Sequence, residues 1–343
     1  MANPVIESPR GLDVAVVIVT YRTADLTVAA LHSLASERTQ RELRIRAVVV
    51  DNASGDLPAI EAAVAEQEWS SWVTPVGSSR NGGFAYGNNF GIQRAYETAA
   101  PDYIYLLNPD AEVRPGALIA LTRFLESNPE AGIAGSSFED PDGSEWPIAF
   151  RFPTLLSELC QGLELGLVSR LLQRWVLPRT MSAQTQPVDW ICGASMMIRP
   201  AVFSAIGGLD ENYFLYFEET DFCLRAKRAG FSTWYVPASR VMHIRGQSTK
   251  VTDRVAEARR LPAYWFESRR RYFALTFGIR QAMAIDIVAL VASCLGFLKR
   301  VALRRQHSVK HFIRDLARHS VLWRGNRVIP KPRSLLRPNV TPR

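Results

Sequence analysis

Two stretches decide the fold: Val14 to Thr20 reads VAVVIVT, and Ile45 to Val50 reads IRAVVV before ending in Asp51. Each is a β-branched apolar run without polar alternation, the pattern of a strand covered on both faces. Between them, Asp25 to Ser36 (DLTVAALHSLAS) carries leucines at helical spacing, and Pro58 to Glu68 is rich in Ala and Glu. A third β-prone stretch surrounds Trp72 to Val76, Gly87 to Ala99 has helical character, and Tyr103 to Leu107 (YIYLL) is a fourth strand running into Asn108-Pro109-Asp110. This alternation predicts an α/β fold, a mostly parallel, Rossmann-like sheet flanked by helices.

In such sheets ligands collect at the carboxyl ends of the strands. The residues to inspect are therefore Thr20-Tyr21-Arg22, Asp51 to Asp56 (DNASGD) and Asn108-Pro109-Asp110. Any one of these is also ordinary turn or helix-cap chemistry, but three polar strand ends in one half-chain favour a ligand site. Asn81 to Asn89 (NGGFAYGNN) packs three glycines and three asparagines into nine residues leading into a helix. Backbone amides at such a turn approach phosphate closely, and a helix N-terminus favours negative charge; a plain tight turn is the alternative. Glu218-Glu219-Thr220-Asp221 brings three carboxylates into four residues directly after the aromatic run Tyr213 to Phe217. Acids opening a helix offset its dipole, whereas acids crowded against an apolar surface acquire the raised pKa that a general base requires.

Length and composition bound the class. The 343 residues are 47% hydrophobic and 22% charged, with 21 Gly and 20 Pro scattered and no internal repeat. A chain of this kind is globular and makes one large or two ordinary domains. The net charge of +8 conceals a split: residues 1–249 carry 20 Lys+Arg against 28 Asp+Glu, and residues 250–343 carry 21 against 5. An acidic body with a basic tail points the tail toward an anionic partner. Cys160, Cys192, Cys223 and Cys294 are widely spaced without a CxxC pair, which fits a reduced setting and no disulfide framework. Residues 1–13 have no secretory character, so a cytoplasmic location is expected.

The ordered blocks VVIVTYR, VVVDNASGD, NGGFAYGNN, LLNPDAEV, DWICGASMMIRP, GGLDENYFLYFEETDFCLRAKRAGF and HIRGQST together resemble an inverting family 2 glycosyltransferase of the GT-A fold, in its rhamnosyltransferase-like branch. The resemblance runs over about residues 14–250. It implies that Thr20, Tyr21, Arg22 and Asp51 hold the nucleotide, Asp51 accepting the imide N–H of a uracil or thymine ring. It implies donor contacts at Asn81, Gly82, Gly83, Phe84 and Asn88. Asn108 and Asp110 stand where relatives carry their DxD-type element, so Asp110 is expected to bind Mg2+ or Mn2+, His243 to face the metal or diphosphate, and Arg245 to add a phosphate contact. Glu219 takes the position of the base that deprotonates the acceptor, although relatives usually have Asp there; Glu218 stands beside it and Asp221 is expected to position the helix. Trp190, Gly193 and Ala194 line the acceptor side.

The resemblance also implies a dTDP- or UDP-sugar donor, L-rhamnose first, and a polyprenyl-linked or glycan acceptor, with no nucleic-acid partner. A catalytic domain is expected over residues 1–250, with a helical insertion at 155–188 near the acceptor side, and a basic amphipathic helical region at 251–343. The apolar stretch 281–298, interrupted by Asp286 and flanked by Arg280, Lys299 and Arg300, reads as an interfacial or packed helix rather than a span. Aromatic residues from Trp265 to Phe277 interleaved with Arg269 to Arg271 read as an apolar face with a cationic edge. An anionic membrane surface at the inner face of the cell membrane is the expected partner. Two other readings use the same residues: a sugar-1-phosphate nucleotidyltransferase, and a non-catalytic binding protein with structural acids.

Overall fold

The structure is a computed structural model that describes residues 11–140, 143–146, 149–163, 177–178, 183–244, 260–304, 309 and 311–325. The chain alternates as its periodicity requires. β1 (Leu12–Thr20) leads through α1 (Ala24–Glu37) to β2 (Leu43–Asp51), through α2 (Leu57–Glu66) to β3 (Val73–Gly77), and through α3 (Gly83–Thr98) to β4 (Tyr103–Leu107). β5 (Ala111–Val113), α4 (Ala117–Ser127), β6 (Ala131–Glu139) and the short β7 (Glu145–Trp146) and β8 (Ala149–Phe150) follow. Then come α5 (Leu155–Leu163), β9 (Gln186–Val188), β10 (Trp190–Ile191), β11 (Ser195–Ile198), α6 (Pro200–Ile206), α7 (Glu218–Arg228) and β12 (Ser232–His243). The C-terminal part holds α8 (Ala263–Phe277), α9 (Ile279–Ala302), α10 (Phe312–His319) and α11 (Val321–Arg324).

The main sheet runs β3-β2-β1-β4-β11-β6-β12-β5. Its first four strands are parallel, and Val14 to Ile18 at their centre are fully buried. The second half is mixed, because β11 enters antiparallel to both β4 and β6. β12 is one strand of twelve residues, with its register against β6 shifting between Val236 and Arg240. His243 is therefore the last residue of a strand. The described cysteines are all free.

Helix α3 begins at Gly83, four residues before the expected start. Gly87 and Gly91 face β1, where a Cβ would meet Val19 and Val17 at about 2.5 Å. Their lack of a side chain lets the helix lie close on the sheet, so the asparagine-glycine stretch is largely helix and not loop.

The C-terminal helices correct the expected cationic edge. Arg269, Arg270 and Arg271 on α8 are each buried to within a few per cent. Arg269 lies 2.6 Å from Glu158 of α5 and 2.5 Å from Asp286 of α9; Arg271 donates to Asp210 at 2.9 Å through Nε, and Arg270 donates to the His319 carbonyl at 2.9 Å. Periodicity reports which side of a helix a charge occupies but not whether an acid waits there. Asp286, the charge that interrupts the apolar stretch of α9, faces inward to this network. The helix is long and apolar enough to cross a membrane, yet the share of its apolar window buried inside the protein is 39%. It packs against α5, where a Cβ on Gly162 would lie 2.6 Å from Ala292. Residues 164–176 and 179–182 of the insertion lie outside the described residues. Two buried charge contacts, Arg269 with Glu158 and Arg271 with Asp210, thus cross the boundary expected at residue 250.

Removing one member of a buried charge network leaves its partners desolvated and uncompensated. Arg269→Met is expected to cost about 3–5 kcal/mol, read as a lowered urea midpoint; an unchanged midpoint would show that Glu158 and Asp286 do not depend on it.

Candidate active site

The carboxyl ends of β1, β2 and β4 share one edge of the sheet, since the three are parallel neighbours. β11 starts at that edge, with Ser195 opposite Leu107, and β12 ends there. The antiparallel pairing of β12 with β5 sets His243 opposite Ala111 and so beside Asp110. His243 Nε2 stands 3.1 Å from Asp110 Oδ1 and 3.4 Å from the Asn108 side-chain nitrogen. Asp110 and His243 are both buried, and the imidazole lies edge-on to Phe138 at 5.3 Å.

A divalent cation fits this pair. Neighbouring ligands on an octahedral ion with bonds of about 2.1 Å stand about 3 Å apart, the separation found here. Among the described residues no group of three His, Cys, Asp or Glu side chains converges on a cation site, so most of the shell would come from diphosphate oxygens and water.

The segment between β10 and β11 joins this end of the site to the acidic cluster. The Asn108 amide donates to the Ala194 carbonyl at 3.0 Å. A Cβ on Gly193 would lie 2.9 Å from the Phe84 ring and 3.9 Å from Glu219 Cβ. Between them, burial pushes the Cys192 thiol up to about 12, and the carboxylates of Glu219, Asp110 and Glu218 all push in the same direction. One side chain thus feels Asp110 and both acids of the pair.

Glu218 is buried and Glu219 half-buried in the first turn of α7. Burial raises both carboxyl pKa values, and the neighbouring Glu219 charge raises Glu218 further. Backbone amides oppose the rise, those of Glu218 and Tyr216 on Glu218, and those of Glu219 and Gly193 on Glu219. One oxygen of each glutamate, Oε2, has no hydrogen-bond partner among the described residues. Asp221 does not join them. It pairs with Arg225 at 2.7 Å, and Arg225 also donates to the Ile206 and Gly208 carbonyls, fastening α7 to the preceding turn. Burial raises the Asp221 pKa against the pull of Arg225.

The glycine turn differs from the expected open phosphate cradle. The Gly83 amide donates to the Asn81 side chain at 3.1 Å, Gly82 to the Asn52 side chain at 3.4 Å, and Phe84 to the Phe214 carbonyl at 2.9 Å. The first helical donors are thus satisfied within the protein. Gly83 is nevertheless required: its φ is +82°, and a Cβ would overlap the Phe214 carbonyl. Asn88 donates to the Phe84 carbonyl at 2.9 Å, stiffening the first turn. Asn52, which the strand-end rule brings into view without giving it a role, organises this turn through Asn81 Oδ1 at 3.1 Å and the Gly83 carbonyl at 3.0 Å. Nothing in its local sequence separates it from an ordinary turn asparagine.

Thr20 and Asp51 are register partners at the ends of β1 and β2. The Asp51 carboxylate accepts from the Ser54 amide and hydroxyl and from the Gly55 amide, at 2.6–3.1 Å, the turn-capping chemistry that is the alternative for this residue. Thr20 is buried and shares its hydroxyl with Thr23 at 2.9 Å. Tyr21 is half-buried with the Arg22 guanidinium 5.2 Å from its ring centre. Trp190 is stacked on Phe150 at 4.4 Å and donates to the Arg151 carbonyl at 2.9 Å, which occupies one face of the indole. Arg245 lies outside the described residues.

Residues 9–261 match the family described as Glycosyltransferase like family 2. The chain belongs to this family. The glycosyltransferase is 29% identical over 249 residues to N-acetylglucosaminyl-diphospho-decaprenol L-rhamnosyltransferase of Mycobacterium tuberculosis, covering 68% of this chain and 76% of that protein. It is 30% identical over 164 residues to Rhamnosyltransferase WbbL of Escherichia coli, covering 47% of this chain and 60% of the other. Its fold is that of the crystal structure of GalNAc-T7 with UDP, GalNAc and Mn2+, at a TM-score of 0.57 and 16% identity, over 94% of this chain and 60% of that one. The expected GT-A architecture is the one observed. The protein is a transferase enzyme, and its family is one of glycosyltransferases, which sets aside the nucleotidyltransferase and non-catalytic readings.

Proposed function

We propose that this glycosyltransferase inverts configuration, with the help of a divalent metal, as it moves a sugar, L-rhamnose first, from dTDP or UDP to a lipid-linked or glycan acceptor in cell-surface polysaccharide assembly. The observation that carries this reading is the Gly193–Ala194 segment, whose Ala194 carbonyl accepts from the Asn108 amide while Gly193 lies against the Phe84 ring and Glu219. The rhamnosyltransferase relatives support the sugar.

The nucleoside lies across the ends of β1 and β2, against Thr20, Tyr21, Arg22 and Asp51. The diphosphate runs past the Asn81–Phe84 turn, held more by side chains than by amides, toward Asn108 and Asp110. Asp110 and His243 would hold the cation, Mg2+ or Mn2+, which when bound would supply charge neutralisation at the departing diphosphate. Gly193 and Ala194 leave room beneath the sugar, and the Trp190 edge faces the acceptor. Glu219, half-buried and with an unfilled acceptor oxygen, takes the proton of the acceptor hydroxyl. As it does so, the acceptor oxygen bonds to the anomeric carbon and the bond from that carbon to the phosphate oxygen breaks. Attack from the side opposite the diphosphate inverts the centre without a covalent enzyme intermediate.

Lipid-linked acceptors are met at a leaflet, and α9 offers a surface for one. With Asp286 turned inward, its outer face carries Ile287, Val291, Leu295 and Leu298, each 50% exposed or more. Arg280 and Arg304 stand exposed at its two ends. An exposed apolar face running along a helix marks an interaction surface. Its cationic ends suit an anionic bilayer on which it lies flat.

Glu219→Gln is expected to retain dTDP binding and lose transfer by about 10²–10⁴-fold; turnover equal to wild type would remove Glu219 from its role. Because the base must be ionised, the acid limb of the wild-type rate profile lies above 4.5, the ordinary carboxyl value. The stability sign runs the other way: protons bound more tightly in the folded state make this pair's contribution fall as pH rises above 4.5. The variant Ile287→Glu/Val291→Glu/Leu295→Glu, all at exposed positions, is expected to lose flotation with phosphatidylglycerol vesicles; unchanged flotation would assign membrane contact to another surface.

A further inference from the structure

The segment Leu209 to Phe217 joins the two halves of the site and is clamped from both sides. On the donor side, Asn89 of α3 holds Leu209 through both its amide and carbonyl, at 3.0 and 2.8 Å, and Phe84 donates to the Phe214 carbonyl. On the other side stands α8. Arg271 grips Asp210 through Nε at 2.9 Å and Nη2 at 2.5 Å, with both side chains buried. Ser268 donates to the Leu215 carbonyl at 3.0 Å. Phe217 packs between Trp265 and Tyr272, at ring separations of 5.9 and 5.6 Å, and Tyr264 lies 5.3 Å from Phe214.

The backbone between these grips is held in an unfavourable form. Tyr216 and Phe217, the two residues before Glu218, have φ of +70° and +69°. Bulky residues avoid this left-handed region unless surrounding contacts impose it. The contacts that impose it come from α8, at residues beyond 260. The turn they enforce aims the first residues of α7, and the Tyr216 amide it orients is one of those that oppose the burial of Glu218.

We infer that α8 is a positioning element of the active site, with Arg271 as its anchoring residue, holding the Leu209–Phe217 segment so that Glu218 and Glu219 meet the donor turn of α3. The inference rests on the assignment of Glu219 as the base. It makes the basic C-terminal region part of the catalytic unit, a role distinct from the membrane contact of α9. Arg271 reaches no reacting atom; it acts through Asp210 and the segment that follows.

The test uses the full chain carrying Asp210→Asn/Arg271→Gln, which removes both charges together and keeps hydrogen-bonding groups of similar size, avoiding the lone buried charge that a single change leaves. Release of dTDP from dTDP-L-rhamnose is followed against pH, alongside dTDP affinity and the thermal midpoint. The expected result is a folded protein with dTDP affinity within about threefold of wild type, kcat reduced about 30-fold or more, and an acid limb moved to lower pH as the loosened pair takes on water. A merely structural role would lower the thermal midpoint and leave the acid limb in place. Wild-type kcat and an unmoved limb in the folded variant would overturn the inference. Should the double variant fail to fold, Ser268→Ala decides, with a severalfold loss of kcat and the same shift expected, and wild-type behaviour contradicting. Wild-type turnover in Glu219→Gln would overturn the base assignment instead, so the two failures are told apart.

Discussion

The hydrogen bond from the Phe84 amide to the Phe214 carbonyl, at 2.9 Å, is the contact around which the site is arranged. It forms only because Gly83 has no side chain and a left-handed φ, so two backbones meet where any Cβ would overlap a carbonyl. One backbone opens the helix that lies on the face of β1 and β2. The other leads within four residues to the acidic pair. Donor side and acid side are therefore built against each other at main-chain precision, and the segment through Gly193 repeats the join on the opposite flank, between the Phe84 ring and Glu219.

Electrostatics then divides the acids by neighbourhood. Asp110 sits with an imidazole and a side-chain amide, a donor set that accepts a hard cation. Asp221 sits with a guanidinium and is committed to holding α7. Glu218 and Glu219 have backbone amides and each other, in a site closed enough that burial outweighs those amides. Carboxylates with different partners at one strand edge allow charge neutralisation and proton acceptance to proceed at a single pH.

Much of this was legible in the residues. The β-branched runs at Val14 and Ile45 announce doubly covered strands, and strand ends point to Asp51, Asp110 and the turn at Asn81. The start of α3 was not legible, because glycine is neutral evidence for a helix until the close approach to Val17 and Val19 is known. Asn52 was missed as an organiser because its partners lie about thirty residues away in sequence. Arg269 to Arg271 were misread for the same kind of reason: aromatic and basic residues at helical spacing describe a membrane-facing helix and a buried, acid-paired helix equally well. Only the positions of Glu158, Asp210 and Asp286 separate the two, and these come from three other parts of the chain.

The account stands or falls on one cavity serving both the leaving group and the base. A crystal structure of the full chain with Mn2+ and a non-hydrolysable phosphonate analogue of dTDP-L-rhamnose measures this directly. The account predicts the diphosphate oxygens and Mn2+ against Asp110 and His243, with the Glu219 carboxylate on the far side of the anomeric carbon. A diphosphate bound away from Asp110, or a Glu219 carboxylate on the leaving-group side, would contradict it.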